Sequence, residues 1–380
     1  MNDTNHQTQR CVFILAGEAS GDLYGGMLVK ALLKSNPELK VIAWGGEHME
    51  EAGAQVLRHY KTMAFMGFLE VIKNLGTIRT LFRECEQLLL DHQPNTFVGI
   101  DYPGFNLKMA AKAQALGLTT HHYISPSLWA WNKNRVNTIR EHIDQLHVIL
   151  PFEKQWFAEH DVEVNWVGHP LIELERSERV GFAENGSDSS PILALFPGSR
   201  GQELERLLPV FLEVAAGMPL FRPIIAGAPG LESSQYQLAS DSGVEVQFGK
   251  TRELMKQAAI GLVTSGTATL EAALLGMPQV ICYRTSFVTY QIAKRLAKTA
   301  WIGLPNIIAQ DSIVPERIQK ECTAANLLKD ISRIHDGKKL LKSGKKQMEC
   351  IEKLRRQLEG PQEPSTNVAE AILDYNPRNT

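Results

Sequence analysis

Cysteine is scarce in this sequence: Cys11, Cys85, Cys282, Cys322 and Cys350 stand far apart, with no C-x-x-C pair among them. Such spacing builds neither a zinc ribbon nor a disulfide framework, and a reducing cytoplasmic setting fits best. Net charge is nearly absent too. Lys and Arg total 40 against 42 Asp and Glu, a formal charge of -2, so no global field draws nucleic acid and any anion site must be local. The polar opening MNDTNHQTQR and the apolar run CVFILAG after it are too short for a signal segment or a membrane span. A soluble or peripheral protein is expected.

Several catalytic signatures are missing. No two aspartates stand two residues apart, which removes the D-x-D arrangement that holds a divalent metal against a nucleotide diphosphate. Gly249-Lys250-Thr251 has Val244 where a P-loop needs its first glycine, and Gly17-Glu18-Ala19-Ser20-Gly21 spaces its serine wrongly for a nucleophile elbow. No G-x-G-x-x-G follows the first strand. His121 and His122 are adjacent in a predicted strand, so they point to opposite faces and cannot share an ion. Neither a metal nor another cofactor is expected.

What is present is a globular chain of 380 residues, 44% hydrophobic and 22% charged, long enough for about two domains. Short β-branched runs alternate with helical patterns throughout: CVFILAG, a helix near Leu23–Lys34, VIAWGG, then TFVGID, HHYIS and LHVILP. That alternation predicts parallel sheet with helical crossovers. The polar stretch from Glu173 to Ser190 carries no strand pattern, and the alternation restarts with PILALFPG, FRPIIAGA, VEVQFG, IGLVTSG and PQVICYR. The expected organisation is therefore an α/β domain over residues 1–170, a linker at 171–190, a second α/β domain at 191–350 and a tail at 351–380. The tail is expected to end in a short helix, Val368–Tyr375, packing back on the first domain. Lys338–Arg356 holds eight basic residues against Glu349 and Glu352, which suits a solvated helix face or an anionic membrane surface.

Strand ends mark the candidate sites. Open parallel sheets bind ligands beyond the carboxyl ends of their strands, and TFVGIDYPGFN puts Asp101 there, a good place for a catalytic carboxylate. FILAGEASGDLYGG puts Glu18 in the first strand-to-helix turn among glycines that let a ligand approach the backbone. LALFPGSRGQE sets Gly198, Ser199 and Arg200 at one helix start, and GLVTSGTATLEAALLGMP sets Ser265, Gly266 and Thr267 at another. Free amides at a helix start, hydroxyls and an arginine fork bind phosphates.

These segments, with MGFLEV, YISPSLWAW, LPFEK and LPNIIA, resemble the lipid-A-disaccharide synthases, glycosyltransferases of Gram-negative bacteria, from about residue 11 to about residue 330. SPSLWAW and LFPGSRGQE are far longer than a chance pattern. The resemblance implies a GT-B fold, two Rossmann-like doubly wound domains facing across a cleft, the first for the acceptor and the second for the UDP-sugar. It implies that UDP-2,3-diacylglucosamine donates its sugar to 2,3-diacylglucosamine 1-phosphate. The products are a β(1→6) disaccharide phosphate and UDP, formed with inversion and without metal. It places the protein at the cytoplasmic surface of the inner membrane and leaves a homo-oligomer open.

Inversion needs a base for the acceptor 6-hydroxyl. Asp101 is the candidate, with Glu18 orienting the acceptor or sharing the task; the bland alternatives are a helix cap and a carboxylate tied to its own turn. Without metal, the leaving diphosphate is met by Arg200, Ser199 and the amides near Ser265 and Thr267, unless Arg200 merely pairs with Glu203 or Glu205. The resemblance assigns the ribose to Glu271, one turn after Thr267, and places Asn306 and Gln319 near the nucleotide, where each could instead cap a turn. Within Met63–Leu90, residues Met66, Phe68, Leu69, Ile72 and Leu75 cover more than one helical stripe among basic residues. They suit a core helix or contact with acyl chains and the membrane face. Trp129 and Trp131 are read as core or as the acceptor side. Two rivals stand beside the transferase: a UDP-sugar epimerase of the same fold, and a non-catalytic membrane-associated lipid-binding protein.

Overall fold

The computed structural model describes residues 10–62, 75–129, 135–178, 190–286, 290–291, 295 and 299–375. The chain divides into two compact units, Met1–Glu173 with Leu358–Thr380 as unit 1, and Leu174–Gln357 as unit 2. Unit 1 carries β1 (Cys11–Ala16), β2 (Lys40–Gly45), β3 (Gln55–His59), β4 (Thr96–Ile100), β5 (Thr119–Tyr123), β6 (Gln145–Val148) and β7 (Asn165–Trp166). Among the described residues their order is β3-β2-β1-β4-β5-β6-β7. Unit 2 carries β8 (Ile192–Phe196), β9 (Arg222–Gly227), β10 (Glu245–Phe248), β11 (Ile260–Thr264), β12 (Gln279–Tyr283) and β13 (Glu316–Ile318), ordered β10-β9-β8-β11-β12-β13. Every pairing between these strands is parallel.

Both sheets are doubly wound, and the residue pattern shows why. A parallel sheet covered by helices on both faces needs strands apolar on both sides. All six residues of β1 and all five of β4 and β11 are buried. In unit 2 the alternation is visible across the sheet: Leu193 and Leu195 join Leu207, Phe211 and Ile225 on one face, while Ala194 and Phe196 join Leu254, Met255 and Met277 on the other. In unit 1, Phe13, Leu15, Trp44 and Phe97 face Phe105 and Met109 of the helix Pro103–Ala115.

The winding reverses direction between β1 and β4, and again between β8 and β11. At each reversal the crossover connections leave in opposite directions, so the carboxyl ends of the two central strands stay uncovered.

Two differences from the sequence reading concern the chain between and after the sheets. The start of the stretch read as a linker is helical, Pro170–Glu178, because Leu171 and Ile172 supply a buried face; residues 179–189 lie outside the described residues. The last helix begins at Pro364 rather than Val368 and runs to Asp374. Its first turn is held by Glu173, which accepts from the Ser365 amide at 2.9 Å and from the Ser365 hydroxyl. The helix packs on Ala19–Ser35, burying Val368, Ala369 and Ile372.

The chain returns to unit 1 through a backbone crossing that only glycine allows. The His169 amide donates to the Leu358 carbonyl at 3.0 Å. A methyl on Gly360 would stand 2.4 Å from the Val167 oxygen, and one on Gly168 would stand 2.6 Å from the Gly360 nitrogen. Gly360→Ala is therefore expected to lower the stability of unit 1 by about 1–3 kcal/mol. Urea unfolding followed by tryptophan fluorescence would show it as a lower midpoint, whereas an unchanged midpoint would mean that the crossing gives way freely.

Candidate functional site

The reversal in unit 1 brings together the two carboxylates singled out above. β1 and β4 pair in register up to Ala16 and Ile100, so Glu18 and Asp101 emerge from neighbouring strand ends. Glu18 is half-buried and is the residue from which the helix Ala19–Ser35 starts, yet its side chain makes no cap hydrogen bond there. Asp101 is half-buried as well, and its amide extends the ladder by one bond, donating to the Tyr123 carbonyl at 2.9 Å. Then the chain turns sharply. Asp101 and Tyr102 both have φ 45°, in the left-handed region, which costs an L-residue roughly 1–2 kcal/mol. The Tyr102 ring lies over Gly17, where a methyl would stand 2.3 Å from the ring carbon Cδ1. A glycine at 17 is what lets the β4 turn close onto the β1 turn.

The electrostatics follow from that geometry. Burial pushes the Asp101 carboxyl up to about 6, the Glu18 carboxylate pushes in the same direction, and the Tyr102 amide hydrogen bond opposes both. Burial raises the Tyr102 phenol too, again with help from Glu18. A carboxylate moved from its ordinary range towards neutrality is a better proton acceptor at physiological pH.

Two side chains that the sequence reading passed over, Asp22 and Glu153, shape the surrounding loops. Asp22 is wholly buried and accepts from the amides of Gly46 (2.6 Å), His48 (3.1 Å) and Met49 (3.3 Å), fixing the turn after β2. The only hint in the sequence is its place in the glycine-rich turn. Glu153 accepts from the Leu150 amide at 3.0 Å and from the Trp129 indole at 3.4 Å, tying the SPSLW segment to LPFE, and burial pushes its carboxyl up to about 8. Trp129 also meets Phe152 edge-on at 5.1 Å, which is a packing role. The His121 ring nitrogen Nδ1 lies 3.0 Å from Nε2 of His147, whereas His122 lies on the other face beside Gly99.

At the reversal in unit 2, the residues expected to bind phosphate follow neighbouring strand ends, and Ser199, Arg200 and Ser265 already have partners inside the chain. Gly198 has φ 114°, and a methyl there would collide with Glu203. The Glu203 carboxylate accepts from the Ser199 amide at 3.1 Å and stands 3.7 Å from the Arg200 guanidinium, which is 64% exposed. The ion pair with Glu203 weighed from the sequence is thus present, and Arg200 keeps an open side. Ser265 donates to the Ile302 carbonyl at 2.8 Å. Gly266 and Thr267 are exposed at the start of the helix Thr267–Leu274, with nothing within 4 Å of where a Gly266 side chain would be. Glu271 is held by Arg252 from the helix Thr251–Gln257, both being about one-fifth exposed.

Asn306 and Gln319 show the turn-holding bonds that were weighed from the sequence beside a place near the nucleotide. Asn306 is wholly buried; its amide donates to the Val314 carbonyl and to Glu316, both at 2.8 Å, and its oxygen accepts from the Val314 amide at 2.8 Å. Glu316 in turn holds the amides of Ile302 and Gly303 at 3.0 Å. Asn306 therefore anchors, from behind, the loop whose carbonyl Ser265 uses. Gln319 clamps both backbone groups of Thr285, at 3.0 and 3.1 Å. Both amides are engaged within the chain.

Of the apolar surface residues, Met66, Phe68, Leu69 and Ile72 lie outside the described residues, as does Trp131, and Leu75 opens the helix Leu75–His92. A groove of about 810 Å³ lies at the opposite end of the unit 1 strands, between Arg10, Asn95, Thr119 and Tyr375. It contains none of the candidate residues. No group of three or more His, Cys, Asp or Glu able to hold a metal is found among the described residues.

Comparison with known proteins bears on what such an arrangement is used for. The sequence profile described as Lipid-A-disaccharide synthetase matches residues 12–372. A lipid-A-disaccharide synthase of Pseudomonas putida (strain GB-1) is 37% identical over 378 residues, covering 96% of this chain and 98% of its own length. One of Geobacter metallireducens is 38% identical over 338 residues, covering 86% and 88%. Among solved structures, a putative UDP-N-acetylglucosamine 2-epimerase of Listeria monocytogenes superposes with TM-score 0.65 at 11% identity, covering 96% of each chain. Acinetobacter baumannii MurG gives 0.55 at 12% identity, covering 97% of this chain and all of its own. These structural likenesses establish the GT-B fold.

The elevated Asp101 carboxyl has a consequence for stability. A group that binds its proton more tightly in the folded state lowers stability as pH rises from its unfolded value near ~3.9 through its folded value. Above about 6 the ionised side chain costs on the order of 1–3 kcal/mol. Asn is neutral and tolerates the left-handed region, so Asp101→Asn should be more stable than the parent at pH 8 and nearly equal to it at pH 4. Denaturant midpoints at the two pH values measure this, and a pH-independent difference would show that Asp101 is not desolvated.

Proposed function

Because this chain belongs to the lipid-A-disaccharide synthase family of hexosyltransferases, we propose that it joins UDP-2,3-diacylglucosamine to 2,3-diacylglucosamine 1-phosphate (lipid X). The reaction is an inverting transfer that needs no metal. The observation that carries this reading is the desolvated Asp101 carboxyl at the unit 1 reversal, raised to about 6 beside Glu18.

The ionised Asp101 carboxylate takes the proton of the acceptor 6-hydroxyl as that oxygen bonds to the donor anomeric carbon. The bond from that carbon to the UDP oxygen breaks on the opposite face, which inverts the centre, and UDP leaves with the electron pair. Glu18 holds the acceptor and keeps the carboxyl of Asp101 basic. General-base assistance of this kind supplies roughly 10²–10⁴-fold. The negative charge on UDP is met by Arg200, by the Ser199 amide once it is released from Glu203, and by the start of the helix Thr267–Leu274. Glu271, in the same helix, accepts from the ribose hydroxyls, a role supported by its pairing with Arg252. The metal-free reading is supported by these protein donors and by the absence of a D-x-D pair in the sequence.

The lipid substrates call for work at the inner-membrane cytoplasmic surface. Supporting that placement, Lys338, Lys339, Lys342, Lys345, Lys346, Lys353 and Arg356 are all exposed, on and just before the helix Lys342–Leu358, a pattern that attracts anionic lipid. Arg355 does not join them, because it pairs with the buried Glu175 at 2.9 Å. No described helix is long and apolar enough to cross a membrane.

The direct test is UDP release from the two diacyl sugars in the presence of a chelator. The full chain should release UDP at a rate that rises with pH through about 6. Asp101→Asn should lower turnover by roughly 10²–10⁴-fold and leave UDP affinity nearly intact; unchanged turnover would remove Asp101 from the base role. Arg200→Ala should weaken UDP binding by about 1.5–3 kcal/mol in calorimetry, and equal affinity would mean that the arginine stays with Glu203 when UDP binds.

A further inference from the structure

The turn that presents Asp101 is held from below by one side chain. Asn106, in the second turn of the helix Pro103–Ala115, has no solvent exposure. Its side-chain nitrogen Nδ2 lies 2.7 Å from the Asp101 carbonyl oxygen, 3.1 Å from that of Ile100 and 3.3 Å from that of Leu15. These three acceptors belong to the ends of β4 and β1, the two strands that flank the reversal. A left-handed turn swings its carbonyls away from the strand ladder, and a buried carbonyl needs a donor. The Asn106 amide supplies it.

The space for that amide is kept open by the neighbouring strand. A methyl on Gly99 would stand 2.9 Å from Cβ of Asn106 and 3.1 Å from its Cγ, and 3.2 Å from Nδ1 of His122. A glycine in the interior of β4 weakens a strand and marks a close approach. Here the approaching group is the Asn106 side chain.

We propose that Asn106 is the positioning residue of this centre: its amide locks the left-handed turn at Asp101 and Tyr102, and so fixes where the Asp101 carboxyl points. The inference rests on Asp101 acting as the base. Without the clamp, the turn relaxes to ordinary negative φ and carries the carboxyl away from the acceptor oxygen. A displacement of about 1 Å at a reacting group costs on the order of 10²-fold in rate. The titratable groups around Asp101 are Glu18 and Tyr102. On the Asn106 side the neighbour is His122, which burial holds down at about 4 and therefore neutral. Asn106 thus acts through backbone geometry rather than through charge.

Three variants of the full chain separate the possibilities, each assayed for UDP release over pH with both substrates varied. Asn106→Leu keeps the volume and removes the donor; Gly99→Ala keeps Asn106 but pushes it off its carbonyls; Asp101→Asn removes the base. The expectation is that Asn106→Leu and Gly99→Ala each lower kcat about 10- to 100-fold with little change in either KM. Both should also move the acidic limb of the kcat profile from about 6 towards the ordinary carboxylate range, because a relaxed Asp101 reaches water. A merely structural role would reduce the amount of folded enzyme while leaving kcat per folded molecule and the limb unchanged, and that result overturns the proposal. If Asn106→Leu does not fold, Gly99→Ala decides alone. Turnover lost in Asp101→Asn but kept in both other variants overturns the role of Asn106 only, whereas turnover kept in Asp101→Asn overturns the base reading and this one with it.

Discussion

The reversal of strand order is the constraint on which the rest depends. In each unit the first strand lies in the middle of the sheet, and crossover helices leave it in both directions. Nothing built by the winding covers the carboxyl ends of β1 and β4, or of β8 and β11. The chain must finish those ends with turns. Whatever those turns present is half-desolvated, backed by the sheet and close to the start of a helix, which is the setting in which carboxylates become bases and amides bind phosphate.

The two reversals are finished in opposite ways. In unit 1 the turns are strained and acidic: two consecutive left-handed residues, a tyrosine ring seated on Gly17, and two carboxylates whose mutual repulsion adds to desolvation. Strain of this kind persists only where the surroundings over-determine it, and Asn106 with Gly99 accounts for much of that here. In unit 2 the turns are amide- and hydroxyl-rich, and internal acids already satisfy many of the donors: Glu203 at Ser199 and Arg200, Glu271 at Arg252, Glu316 at the Ile302 and Gly303 amides. Such partners keep cationic and amide groups in place.

Much of this was legible in the sequence, because strand ends are legible. TFVGID and FILAGE are apolar runs that stop at an acidic residue, and the period of the pattern alone puts Asp101 and Glu18 at strand ends. Parallel sheet with helical crossovers in two tandem domains follows from the same alternation, while the doubly wound GT-B arrangement was implied by the resemblance carried by SPSLWAW and LFPGSRGQE. What stayed hidden is of another kind. Asn306 and Gln319 resemble ligand-binding amides by position, but their bonds run to Val314, Glu316 and Thr285, pairings that no periodicity announces. Asp22 and Glu153 reach backbone amides and an indole 24 to 27 residues away, or three residues away across a tight turn. Asn106 reads as one more polar residue in an amphipathic helix until β1 and β4 are laid side by side. The helix Pro170–Glu178 was obscured by its acidic composition, which hid a face as small as Leu171 and Ile172.

The central claim is that the Asp101 carboxyl is a desolvated base coupled to Glu18. Carbon-13 NMR of the labelled Asp101 carboxyl in the full chain tests it without any substrate. A titration midpoint near 6, moving downward in Glu18→Gln, is the result predicted here. A midpoint in the ordinary range near ~4, indifferent to Glu18, would contradict it.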